Sequence, residues 1–76
     1  MTIKELNRLK CGDVVRSLKE RGEKVQHKDK TLNIYGFEFI SFNKLEGCVK
    51  LRSMSKDKVE LIVDFKKFTK NYEVIL

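Results

Sequence analysis

The groups best suited to acid–base, nucleophilic or metal chemistry in this 76-residue chain are one histidine, two cysteines and eleven carboxylates. Their spacing matters more than their number. His27 stands between Gln26 and Lys28 at a polar turn, which reads as a solvated loop residue. Cys11 and Cys48 form no Cys-x-x-Cys pair, and with His27 they fall short of a four-ligand zinc site. They read as free thiols that behave as small hydrophobes. Glu60 and Asp64 fall on one side of an alternating segment and could form a carboxylate pair. Lys50 and Arg52 on the preceding segment offer them a simpler role as cross-strand charge partners. There is no glycine-rich phosphate loop and no nucleophile elbow. The expectation is a chain that binds rather than catalyses, without cofactor or metal.

Charge points to what it could bind. Seventeen Lys and Arg against eleven Asp and Glu give a net +6. The excess lies in residues 1–30 and 48–76, with a near-neutral middle between them. Basic regions of this kind suit an anionic partner, and a modest positive charge also serves solubility alone. If Val49 and Leu51 point inward, Lys50 and Arg52 point outward. In a hairpin centred near Lys56, Lys58 then lies beyond them on the same face and Lys56 tops the turn, and Lys66, Lys67 and Lys70 follow the next strand. This predicts a basic band, Lys50, Arg52, Lys56, Lys58, Lys66, Lys67 and Lys70, that binds nucleic acid with low sequence specificity; the alternative is a protein-interaction module, a small regulatory or inhibitory factor or a subunit of a complex. Ile62 falls outward in that register, opposite Lys50. With Tyr35 or Phe42 it is predicted to form an exposed apolar spot for a protein partner, a second copy or stacked bases.

The elements that must position these residues are mostly strands. Thr2 with Glu5 has capping-box spacing, and Ile3, Leu6 and Leu9 recur at helical spacing, so residues 2–9 read as a short helix. Residues 13–21 are ambiguous. As a helix they would run from an Asp13 cap to Gly22; as a strand they would carry Val14 and Val15 into a sheet. The strand reading is preferred for residues 13–18. Lys24–His27, Thr31–Phe42 with a bulge or bend at Gly36, Gly47–Met54, Val59–Phe65 and Tyr72–Leu76 read as strands. Lys66–Asn71 reads as a polar connection with one helical turn at Phe68. Short turns between successive strands imply an antiparallel meander. The predicted class is mainly β (α+β): a five-stranded antiparallel curled sheet or small barrel with a short N-terminal helix. The alternative is a helical hairpin packed on a four- to five-stranded sheet.

The step Gly12-Asp13-Val14-Val15-Arg16 resembles the opening strand of SH3-like small barrels, including KOW-type domains. The ending, Val59–Phe65, Lys66–Asn71, Tyr72–Leu76, is similar to the close of those folds. The resemblance covers residues 12–76 and implies a non-enzymatic module for nucleic acid or protein. Locally, Gly36-Phe37-Glu38-Phe39-Ile40-Ser41-Phe42 is similar to the RNA-contacting octamer of RNA-recognition motifs and cold-shock domains. It departs from that pattern at Tyr35, where a basic residue is usual, and at Glu38, where Gly or Ala is usual. The strand order expected around it differs as well.

Length and composition bound the rest. The chain suits one domain, residues 1–76, with 41% hydrophobic residues and no proline. No apolar run approaches the roughly 18–20 residues that cross a bilayer, so no membrane association is expected. With no secretion signal in the sequence, a cytoplasmic location is expected.

Overall fold

The computed structural model describes residues 1–75. Its elements are α1 (Ile3–Arg8), β1 (Val14–Ser17), β2 (Glu23–His27), β3 (Lys30–Ile34), β4 (Gly36–Asn43), β5 (Cys48–Ser53), β6 (Glu60–Asp64), α2 (Phe65–Asn71) and β7 (Tyr72–Val74). The capping box forms: the Thr2 hydroxyl accepts from the Glu5 amide, and the Glu5 carboxylate accepts from the Thr2 amide at 3.0 Å. That Thr2 bond is also the leading reason the Glu5 pKa is lowered. Residues 14–17 are a strand, which overturns the helical-hairpin alternative.

Five strands make one antiparallel sheet in the order β6-β5-β4-β1-β7, and β2 and β3 form a separate hairpin between β1 and β4. The sheet does not close into a barrel, because its edge strands β6 and β7 are not paired with each other. Helix α2 carries the chain between these edges. Asp64 starts it by accepting from the Lys66 amide at 2.8 Å. Its buried residue, Phe68, stacks on Tyr72 at a centroid distance of 5.2 Å and approaches Phe39 at 6.4 Å. The core combines Val15, Phe37, Phe39, Val49, Leu51 and Tyr72 from the sheet with Phe68, with Leu6 from α1, and with Val25 and Ile34 from the hairpin.

Three expectations about strands are corrected. Thr31–Phe42 is not one bent strand. Tyr35 interrupts it, so that β3 pairs with β2 while β4 pairs with β1 and β5. The irregularity in β4 lies between Phe39 and Ser41, not at Gly36, and it leaves Ile40 without a partner in the ladder. One extra residue flips the side-chain alternation. Phe37 and Phe39 face inward, Ser41 is exposed, and Phe42 opposite Val49 faces inward again. The strand predicted over 59–65 is shorter, because Phe65 already belongs to α2. Val49 and Leu51 are fully buried, whereas Leu61, Val63 and Phe65 are half-buried at the margin of the core.

Candidate binding surface

The outer face of β5 and β6 carries the centre of the predicted basic band. The register sets Lys50 opposite Ile62 and Arg52 opposite Glu60, and on the other side sets Glu38 opposite Arg52. The charges interleave. Glu60 Oε2 lies 3.5 Å from Lys50 Nζ and accepts from Arg52 Nη2 at 3.4 Å, and Arg52 Nη1 is 3.9 Å from Glu38 Oε1. Two cations and two carboxylates cancel in formal charge. Such exposed pairs contribute little stability, but they leave no uncompensated positive field on this face.

The other lysines of the band stand at the two ends of β6. Lys56 and Lys58 are exposed in the β5–β6 turn, while Lys66, Lys67 and Lys70 are exposed on α2. The run from Lys58 to Phe65 is about 23 Å of extended chain. The structure therefore divides the predicted band into two basic ends around a charge-balanced centre. Among the described residues, none of these five lysines is in an ion pair.

The predicted apolar spot is not assembled. Ile62 is 69% exposed and Tyr35 is 52% exposed. Tyr35 adjoins Gly36, which packs near Met54, whereas the β4 residue in the same row as Ile62 is Ser41. Six residues along a strand is about 20 Å. Phe42 is corrected outright. It lies on the inner face and packs toward Phe65 at a centroid distance of 6.2 Å, because the irregularity at Ile40 reverses its parity.

A cleft of about 230 Å³ lies beside β6. Its walls include Leu61–Asp64, Lys67 and Asn71 of α2, Tyr72, and Lys19 with Glu23 from the segment entering the hairpin. Lys19 and Glu23 form an ion pair at 3.0 Å. The Tyr72 side chain is fully buried, and among the described residues its hydroxyl makes no hydrogen bond of good geometry. Burial raises the Tyr72 pKa well above the ordinary tyrosine value, and the nearby Glu23 carboxylate adds to the rise. Sequence reading did not find this cleft, since no local pattern shows that β6 is an edge or that Lys19 and Tyr72 meet beside it.

Tyr72 yields a pH prediction. Its folded pKa is raised, so the protonated form is favoured in the native state. The associated stability is fully present below the unfolded tyrosine value near 10 and is lost as pH rises above it, by up to about 1.4 kcal/mol per pH unit. Tyr72→Phe removes that slope. The hydroxyl makes no hydrogen bond of good geometry and has only the nearby Glu23 carboxylate as a possible acceptor, so this variant should change stability at pH 7 by about 1 kcal/mol or less. Urea denaturation at pH 7 and between pH 10 and 11 checks both points. A Tyr72→Phe loss above about 2 kcal/mol at neutral pH would mean that the hydroxyl is well bonded.

Cys11 and Cys48 carry free thiols. His27 sits half-buried at the end of β2, opposite Lys30. Among the described residues, no three His, Cys, Asp or Glu side chains converge as metal ligands, and no helix is long and apolar enough to cross a membrane. No protein-family model, curated protein or solved structure matches the chain.

Proposed function

We propose that this chain is a non-enzymatic binding module of the cytoplasm whose principal ligand is another protein. The observation that carries this reading is the neutralised centre of the outer sheet face, where Glu38 and Glu60 offset Lys50 and Arg52. A continuous phosphate-binding face needs uncompensated cations along its length. The connectivity supports an SH3-like reading of the fold. A hairpin lies between the first and second strands of the main sheet, and a helix of seven residues precedes the last strand. The second reading, low-specificity nucleic-acid binding, draws on the net charge of +6 and the unpaired lysines at the two ends of β6.

Salt dependence separates the two. With only two or three lysines at each end, a random single strand should bind weakly, with a log K against log salt slope no steeper than about −2. Arg52→Glu should leave that slope unchanged, because Arg52 already shares two carboxylates. Fluorescence anisotropy with labelled DNA and RNA from 20 mM salt upward provides the measurement. A slope of roughly −3 to −4, abolished by Arg52→Glu with Lys58→Glu, would instead establish the predicted band as a nucleic-acid surface.

A further inference from the structure

The β2–β3 hairpin is a sheet of its own, and its two faces are unlike. Successive residues of a strand face opposite sides. On the inner side Val25 and Ile34 are buried and Leu32 is half-buried. The alternate positions, Lys24 and Gln26 on β2 and Thr31 and Asn33 on β3, are all exposed and share the outer side. The register pairs Lys24 with Asn33 and Gln26 with Thr31. The Gln26 amide donates to the Thr31 hydroxyl at 2.9 Å. That bond orders an amide that still has a carbonyl oxygen and a second N–H to offer. All four outer side chains are polar, and none is acidic.

The hairpin's charge is not compensated as it is on β5 and β6. Arg21, Lys24, Lys28 and Lys30 are exposed, and among the described residues none of them is in an ion pair. Glu23 falls on the inner side and is held by Lys19. The other carboxylates of this region are Glu20 in the β1–β2 turn and Asp29 at the hairpin tip. Four cations therefore stand against two carboxylates here, whereas Lys50 and Arg52 are matched by Glu38 and Glu60.

We propose that the outer face of the β2–β3 hairpin is a second binding surface, which enters the major groove of duplex DNA with Lys24, Lys28 and Lys30 toward phosphates and Gln26 and Asn33 toward base edges. This goes beyond the protein-binding reading, which concerns β5 and β6, and does not depend on it. The ligand follows from the side-chain types. Lysines neutralise phosphates, and the planar amides of Asn and Gln match the edge of adenine. The form of the duplex follows from strand geometry. Two strands about 4.8 Å apart make a ribbon that a major groove about 12 Å wide admits. The deep, narrow major groove of A-form RNA does not admit it. An acidic protein would also satisfy the lysines, but protein interfaces are built around apolar and aromatic side chains, and none of the four outer residues is of that kind.

The test titrates the full ¹⁵N-labelled chain with a mixed-sequence DNA duplex about two helical turns long. Amide shifts should concentrate at Lys24, Gln26, Thr31 and Asn33 and stay small at Lys50, Arg52 and Ile62. Three phosphate contacts give a log K against log salt slope of about −3. Lys24→Glu with Lys28→Glu should weaken binding by about tenfold or more. Both side chains are exposed, so the fold should be retained. Lys4→Glu with Lys10→Glu changes net charge equally, at exposed positions outside the hairpin, and should weaken binding by about threefold or less. The matched pair separates a local contact from attraction to net charge, and the shifts on the native chain locate the site even where a variant fails to fold. An RNA duplex or an oligoglutamate peptide bound as tightly as the DNA would overturn the assignment to duplex DNA. No binding at low salt, or equal losses from the two variants, would overturn the proposal and leave the protein-binding reading standing. Shifts centred on β5 and β6 would overturn both.

Discussion

Replacing Phe68 by alanine should cost about 3–5 kcal/mol and bring the chain close to its unfolding midpoint in buffer. Phe68 is fully buried and is the buried residue of α2, the segment that links the two edges of an open sheet. Its ring stacks on Tyr72 and tilts against Phe39, so truncation opens a cavity where three aromatic side chains meet. A domain of 76 residues has a total stability of about 4–11 kcal/mol, so this one change removes much of it. Leu61→Ala makes the contrast. Leu61 is half-buried on the edge strand, and its loss should cost only about 1–2 kcal/mol. Guanidinium denaturation of both variants gives the comparison. Equal losses would mean that α2 does not seal the sheet.

Much of this architecture was legible because alternation and capping are local. Thr2 and Glu5 announced α1, and the alternation of Val59, Leu61 and Val63 announced the hairpin with β5. The register of Lys50 against Ile62 followed from placing the turn near Lys56. Errors arose where a tertiary choice overrode the local pattern. Thr31–Phe42 is uniformly strand-like, and nothing in its residues says that it serves two sheets with a break at Tyr35. The mixed parity of Phe37, Phe39 and Phe42 did signal an irregularity. Gly36 drew the assignment because glycine is the usual marker of a bulge, yet Ile40 is the unpaired residue.

The candidate surface was less legible, for a physical reason. Summed charge is a property of composition, whereas a field depends on which residues face each other. The pairing of Glu60 with Lys50 and Arg52 was foreseeable from hairpin register, and it already weakened the basic band. The part played by Glu38 was not, since it needs the β4–β5 register across the irregularity at Ile40. The edge position of β6 depends on strand order, which local patterns do not carry. Lys19, Glu23, Lys67 and Tyr72 lie far apart in sequence and converge only because α2 returns the chain past that edge.

Gly22 supplies the other large effect. It has φ +68, closes a turn in which its amide donates to Lys19 O at 3.0 Å, and precedes the hairpin that contributes Val25 and Ile34 to the core. A Cβ built there would lie 2.6 Å from Ile34 O and 3.0 Å from Ile34 C, both backbone atoms of the strand that must pack against it. Left-handed geometry alone costs a non-glycine residue roughly 1–2 kcal/mol, and forcing an atom into a filled site adds about 1–3 kcal/mol. Gly22→Ala should therefore destabilise by roughly 2–5 kcal/mol, with amide shifts concentrated in β2, β3 and Tyr35. Gly47→Ala is the matched control. Gly47 also has φ +68, but its Cβ would meet only the Phe65 ring, at 3.2 Å, and a side chain can yield where a backbone cannot. That variant should lose about 1–2 kcal/mol, the conformational cost alone. Paired urea titrations isolate the close approach as the difference between the two. If Gly22→Ala proves no more costly than Gly47→Ala, the hairpin does not press on Gly22, and the packing of β3 against the β1–β2 turn is looser than described.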